Sequence, residues 1–180
     1  MDYSNIEAKV AKYQTILNNT KNYRKKWGTG LKQMIMDTLN DIIKQTKLPA
    51  YVDVKDEIEN LEVIGMSLGT EISGIAEKLP GNKSKRPFIK SNGSLIFQQL
   101  FNGKIMIMIM YPYIEGYGQP KPPKTLEILR PHELKEIFIV RYTEEFMKEV
   151  IEWEDFDDDV PEKMGMNPIG FGAREMLGED

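Results

Sequence analysis

The chain has 180 residues, 41% of them hydrophobic and 29% charged, which suits one ordinary core with a tail to spare and argues against two large independent domains. It contains no cysteine, so disulfides, thiol nucleophiles and thiolate metal sites are excluded together. The net charge of −4 hides an alternation: residues 1–48 carry nine basic against four acidic side chains, 49–79 two against seven, 80–106 five against none, and 133–180 five against fifteen. Solvated faces of opposite sign, a clamp between tail and body, or a nucleic-acid surface all meet that pattern. No run approaches the roughly 18 apolar residues of a membrane span. The start MDYSNIEAKV lacks the basic-then-apolar order of a secretory signal. The chain is therefore expected to be soluble and cytoplasmic, without membrane insertion.

Residues 4–26 are predicted helical, since Ile6, Val10, Tyr13 and Leu17 recur at steps of four, three and four. Ser4 and Glu7 have the spacing of a capping box. Gly28-Thr29-Gly30 interrupts the pattern, and a second helix follows from Leu31 to Lys47, with Leu31, Ile35, Leu39 and Ile42 on one side and Pro49 beyond its end. The pair fits either an αα-hairpin or one kinked arm. Tyr51–Val54 then alternates like a strand, Leu61–Ser67 is β-like, and Glu71–Lys78 is a further strand interrupted by Gly74. A basic loop at residues 80–86 precedes Phe88–Lys90.

The segment Ser94–Tyr113, SLIFQQLFNGKIMIMIMYPY, reads as a β-hairpin with Asn102-Gly103 as a two-residue type I′ turn. That register sets Leu100, Gln98 and Ile96 opposite Ile105, Ile107 and Ile109. It sets Gln99, Phe97 and Leu95 opposite Met106, Met108 and Met110. Both faces are apolar, so both need cover, from a further layer or from a partner chain. Methionine is flexible and polarisable, suited to an adaptable contact. Leu95, Phe97, Met106, Met108 and Met110 are accordingly the predicted interface residues of the sheet.

Residues Tyr111–Lys124, with four prolines and two glycines, form a loop in which Tyr111, Tyr113, Glu115 and Tyr117 are the predicted ligand-binding residues. Thr125–Leu129 is a short strand. Pro131 is placed at the first position of a helix that runs to about Trp153, with Ile139, Tyr142, Phe146, Val150 and Trp153 as its main stripe and Ile137, Val140, Met147 and Ile151 widening it. The predicted fold is α+β: two N-terminal helices, an antiparallel β-meander of about five strands, a long C-terminal helix and an extended acidic tail. Residues 1–153 form one domain. Residues 154–180 form an acidic tail whose Phe171 and Met176 are predicted to dock on a partner surface.

The residues for chemistry are sparse. His132 has no cysteine or elbow serine to activate. Asp155, Asp157 and Asp159 begin like a calcium loop, but Val160 and Met166 stand where glycine and glutamate are needed. Gly28-Thr29-Gly30 lacks the third glycine of a dinucleotide fingerprint. No catalytic residue, metal site or cofactor is assigned. The function expected is a non-enzymatic interaction or structural protein, a homo-oligomer or a subunit of a larger intracellular assembly, with protein as partner. One alternative is a small-ligand domain or enzyme with the tyrosine loop at its mouth. The other is a binder of nucleic acid or an acidic partner through Tyr23–Trp27 and Lys83–Lys90, regulated by the tail.

Overall fold

A computed structural model of the chain describes residues 2–81 and 84–155. The first helix, α1, spans Ser4–Lys26, with Arg24, Lys25 and Lys26 complementing the dipole of its last turn. Asp2 Oδ1 accepts the Ser4 N–H at 2.9 Å, so the first turn is held from outside the helix and the Ser4–Glu7 box does not form. A kink at Trp27–Leu31 follows, where Thr29 leaves helical geometry and Gly30 takes φ +151°, a conformation only glycine adopts at ease. The second helix, α2, spans Lys32–Thr46 and ends on Lys47 in the left-handed region. The two helices therefore form one kinked arm.

Eight strands follow: β1 Tyr51–Lys55, β2 Val63–Ser67, β3 Thr70–Lys78, β4 Lys85–Ser91, β5 Ser94–Gln99, β6 Ile105–Met110, β7 Tyr113–Ile114 and β8 Lys124–Leu129. A five-stranded antiparallel sheet has the order β1-β2-β5-β6-β8, and a three-stranded sheet has the order β3-β4-β7. The meander is thus interrupted after its second strand by a separate ribbon. Gly74, at φ +79°, marks an irregularity in β3 between Ile72 and Ala76, where the Ser73 hydroxyl donates to Phe88 O at 2.9 Å.

The β5–β6 register differs from the sequence expectation by one residue. The Leu100 N–H donates to Lys104 O at 2.8 Å and the Gly103 N–H to Leu100 O at 2.7 Å, leaving a three-residue loop of Phe101, Asn102 and Gly103. Gly103 alone takes positive φ, at +76°, so this is the turn-plus-left-handed-glycine hairpin and not the two-residue type. Leu95, Phe97 and Gln99 consequently oppose Ile109, Ile107 and Ile105, while Ser94, Ile96 and Gln98 oppose Met110, Met108 and Met106. A one-residue shift exchanges the faces that two strands share.

The last helix, α3, spans Glu136–Glu154, not the run from Pro131. Glu133 closes a separate turn by accepting the Arg130 N–H at 2.7 Å and donating its own N–H back to Arg130 O at 2.9 Å. Lys135 is then extended and starts the helix afresh. Leu134, between turn and helix, is buried. Both helices cover one face of the large sheet: Ile35 and Leu39 of α2, with Ile139, Tyr142, Phe146 and Val150 of α3, pack on Ile64, Met66, Leu95, Phe97, Ile105, Ile107 and Ile109. Trp27 closes the same core at the kink.

Candidate interaction surfaces

Leu95 and Phe97 lie at the centre of that core, and the Phe97 ring meets Tyr142 edge-on with centroids 6.3 Å apart. Their cover is intramolecular. Met106 and Met108 point to the opposite face with Ile96 and are half-buried, while Met110 is 39% exposed. The buried side chains of α2 and α3 pack on the other face, with Leu95, Phe97, Ile105, Ile107 and Ile109. The double-sided expectation is thus met on one side by α2 and α3, while the other keeps an open methionine strip. Phe171 and Met176, with the tail from residue 156 onward, lie outside the described residues.

The second surface is α1. Its last turns rest on the β5–β6 tip, where an added Cβ on Gly103 would lie 2.6 Å from Tyr23 Cβ and 3.0 Å from Arg24 N. Arg24 Nη2 donates to Phe101 O at 2.6 Å, and Tyr23 lies 6.3 Å from the exposed His132 ring. Residues 4–18 are all exposed, a free length of about 22 Å at the rise of an α-helix. Ile6, Val10, Tyr13 and Leu17 form a narrow apolar row on this projection.

The third surface is a groove between α2 and α3, with a volume of about 740 Å³. Ile42, Leu48, Ile137, Val140 and Met147 supply its apolar lining. Asp37, Asp41, Glu136 and Glu144 also line it, and among the described residues none of these carboxylates makes an ion pair. Ile137 is 66% exposed here. Of the residues read in the sequence as widening the α3 stripe, Ile137 and Val140 face this groove exposed, whereas Met147 lines it and also packs on the core. Sequence reasoning did not find this site, because its two walls lie about a hundred residues apart.

The tyrosine loop is not one site. Tyr111 turns inward, its ring under Lys121 Nζ at 3.8 Å and its hydroxyl on Glu149. Tyr113 and Tyr117 line a cavity of about 10 Å³ beside Trp153, room for a single water at most. Glu115 lines a different cavity, of about 390 Å³, with Phe88 and Gly116. Burial raises the Glu149 carboxyl, but hydrogen bonds from Lys124 and Tyr111, and the charges of Lys124 and Lys121, outweigh it and hold its pKa below the ordinary value. The Lys124 ammonium, paired with Glu149 and with Glu145 at 2.9 Å, is held above its ordinary value. Burial first, then the hydrogen bond to Glu149, pushes Tyr111 up to about 12. Burial and the hydrogen bond to Glu127 do the same for Tyr142, also to about 12.

These shifts fix a pH dependence. Unfolded tyrosines ionise near pH 10 and the folded pair near 12, so their stabilisation is complete below about 10 and is lost as pH rises through 12. The unfolding free energy from urea titrations should fall between pH 9 and 11.5, by roughly 2 kcal/mol in wild type. The drop should be clearly smaller in a Tyr111→Phe/Tyr142→Phe chain. Equal slopes in both proteins would contradict the assignment. Glu149 acts in the opposite sense, stabilising above its unfolded pKa of about 4.5 and losing that contribution as pH falls through its lower folded value.

Of the basic and aromatic stretches, Lys90 is consumed internally, bound to Glu71 at 3.2 Å and Glu154 at 2.5 Å beneath the Trp153 ring. Among the described residues no group of His, Asp or Glu side chains has metal-site geometry, and no helix is long and apolar enough to cross a membrane. Comparison with protein-family models, with curated proteins and with solved structures finds no match to the chain.

Proposed function

We propose that this chain is a non-enzymatic interaction or structural protein, working as a homo-oligomer or as a subunit of a larger cytoplasmic assembly. The observation that supports it most is α1, a helix of 23 residues in which no residue is buried. A free helical segment of this length is marginal in water, so a partner that covers it would stabilise it directly. Burying Ile6, Val10, Tyr13 and Leu17, each already about half covered, would contribute about 1 to 1.5 kcal/mol each before the cost of association. The open methionine strip beside Ile96 is a second apolar surface of the same kind.

The experiment is the absolute mass in solution by light scattering, at two concentrations, for wild type and for Val10→Asp/Tyr13→Asp. Those residues are 52% and 58% exposed, so the melting temperature should stay within about 2 °C. Association should weaken by about tenfold or more. A mass that ignores the double variant would take α1 out of the reading. A wild-type monomer at both concentrations would remove the homo-oligomer. The subunit form would then require a partner that co-purifies with wild type and is lost with the variant.

A further inference from the structure

Resting on that interaction reading, we propose that the partner of α1 is a second copy of this chain, and that its seat there is the groove between α2 and α3. The charges match. The helix carries Lys9, Lys12, Lys21, Arg24, Lys25 and Lys26 against Glu7 alone, whereas Asp37, Asp41, Glu136 and Glu144 line the groove without a cation among the described residues. Lys9 and Lys21 flank the apolar row on its two sides, where the edges of a groove would meet them. The shapes match as well: a narrow row meets a channel between two helices, with Ile42, Ile137, Val140 and Met147 to receive Ile6, Val10, Tyr13 and Leu17, and Ile16 beside them.

Two other occupants fit less well. The chain's own α1 is tied to the β5–β6 tip through Gly103, the Arg24–Phe101 hydrogen bond and buried Trp27, and closing onto its own groove would break all three. Two α1 helices paired with each other would bring like charges together along their length. Each copy leaves one basic arm and one acidic groove unfilled, so reciprocal insertion fills both in a two-fold dimer.

The test reverses charge on each side and then on both. Lys9→Glu/Lys21→Glu and Asp41→Lys/Glu144→Lys should each weaken association about tenfold or more in light scattering. Their combination in one chain should recover to within about threefold of wild type. Melting temperatures of all three proteins confirm that each is folded. Because the chain has no cysteine, disulfides report the contact directly. A Val10→Cys chain mixed with a Val140→Cys chain should give the mixed disulfide. Crosslinks confined to two Val10→Cys chains, or a link within one chain carrying both substitutions, would overturn the proposal in favour of α1 self-pairing or closure in cis. An assembly lost in Val10→Asp/Tyr13→Asp but indifferent to the groove reversals would overturn the groove and keep the interaction reading. A monomer whose α1 instead binds phosphatidylserine vesicles would overturn both.

Discussion

Trp27→Ala is expected to cost about 3 to 5 kcal/mol of stability, the range for losing a fully buried large aromatic. Trp27 is 2% exposed and stands where the chain leaves the core for the arm. Its Nε1–H donates to Glu62 Oε2 at 3.1 Å, the same oxygen that Lys32 Nζ reaches at 2.6 Å. Truncation leaves a void beneath the kink, while Glu62 keeps its lysine. Trp27→Phe refills most of the volume and loses only the hydrogen bond, for about 1 to 2 kcal/mol. Urea denaturation followed by circular dichroism gives both numbers. Hydrogen exchange should also show faster exchange in residues 20–26, since the last turns of α1 lose their anchor. A cost for Trp27→Ala below about 1 kcal/mol would mean that this side chain does not close the core.

Gly103→Ala should be nearly as severe. Gly103 takes φ +76°, where an L side chain is strained. An added Cβ would lie 2.6 Å from Tyr23 Cβ, 3.0 Å from Arg24 N and 3.1 Å from Thr20 O, the last two being backbone atoms of α1. The strain costs about 1 kcal/mol and the overlap about 1 to 3 kcal/mol more. We expect a loss of about 2 to 4 kcal/mol by urea denaturation. Deleting Phe101 should be milder, because Leu100 and Lys104 already pair and a two-residue Asn102-Gly103 loop can close on them with the β5–β6 register kept. Phe101→Ser keeps the loop length at a side chain 72% exposed and should change stability by less than about 0.5 kcal/mol. A Gly103→Ala chain as stable as wild type would refute the contact between this turn and α1.

The hairpin shows where local pattern runs out. Asn102-Gly103 marked the turn correctly, but loop length depends on whether one residue or two take positive φ. Here Gly103 alone does so, and its bare Cα lies against the backbone of α1 some eighty residues earlier. The start of α3 was missed for a similar reason. Pro131 and Glu133 are good first-turn residues, yet Glu133 spends its carboxylate on Arg130 and leaves Leu134 free to enter the core. The tyrosines failed as a cluster because neighbours in an irregular loop need not face one cavity. Tyr111 was drawn inward by Glu149 and Lys121, contacts from α3 and from ten residues downstream.

The free state of α1 was legible in a subtler signal. A helix that packs on a sheet shows a broad apolar face, as α2 does with Met34, Met36, Ile42 and Ile43 beside Leu31, Ile35 and Leu39. The row on α1 is narrow by comparison, with Ile16 beside it and Lys9 and Lys21 on its two sides, a pattern consistent with the proposed helix-in-groove contact.

By itself the sequence determined the α+β class, the helix spans on either side of Gly28-Thr29-Gly30, the antiparallel character of the strands and the doubly apolar hairpin, but not the separation of β3, β4 and β7 into a second sheet. These follow from periodicities of 3.6 and 2 and from glycine and proline, all of which act over a few residues. The tertiary structure alone decided which hairpin face is covered, that the arm stays open, and that carboxylates of α2 and α3 line one groove. Those outcomes depend on side chains brought together from distant parts of the chain, where no local spacing carries the information.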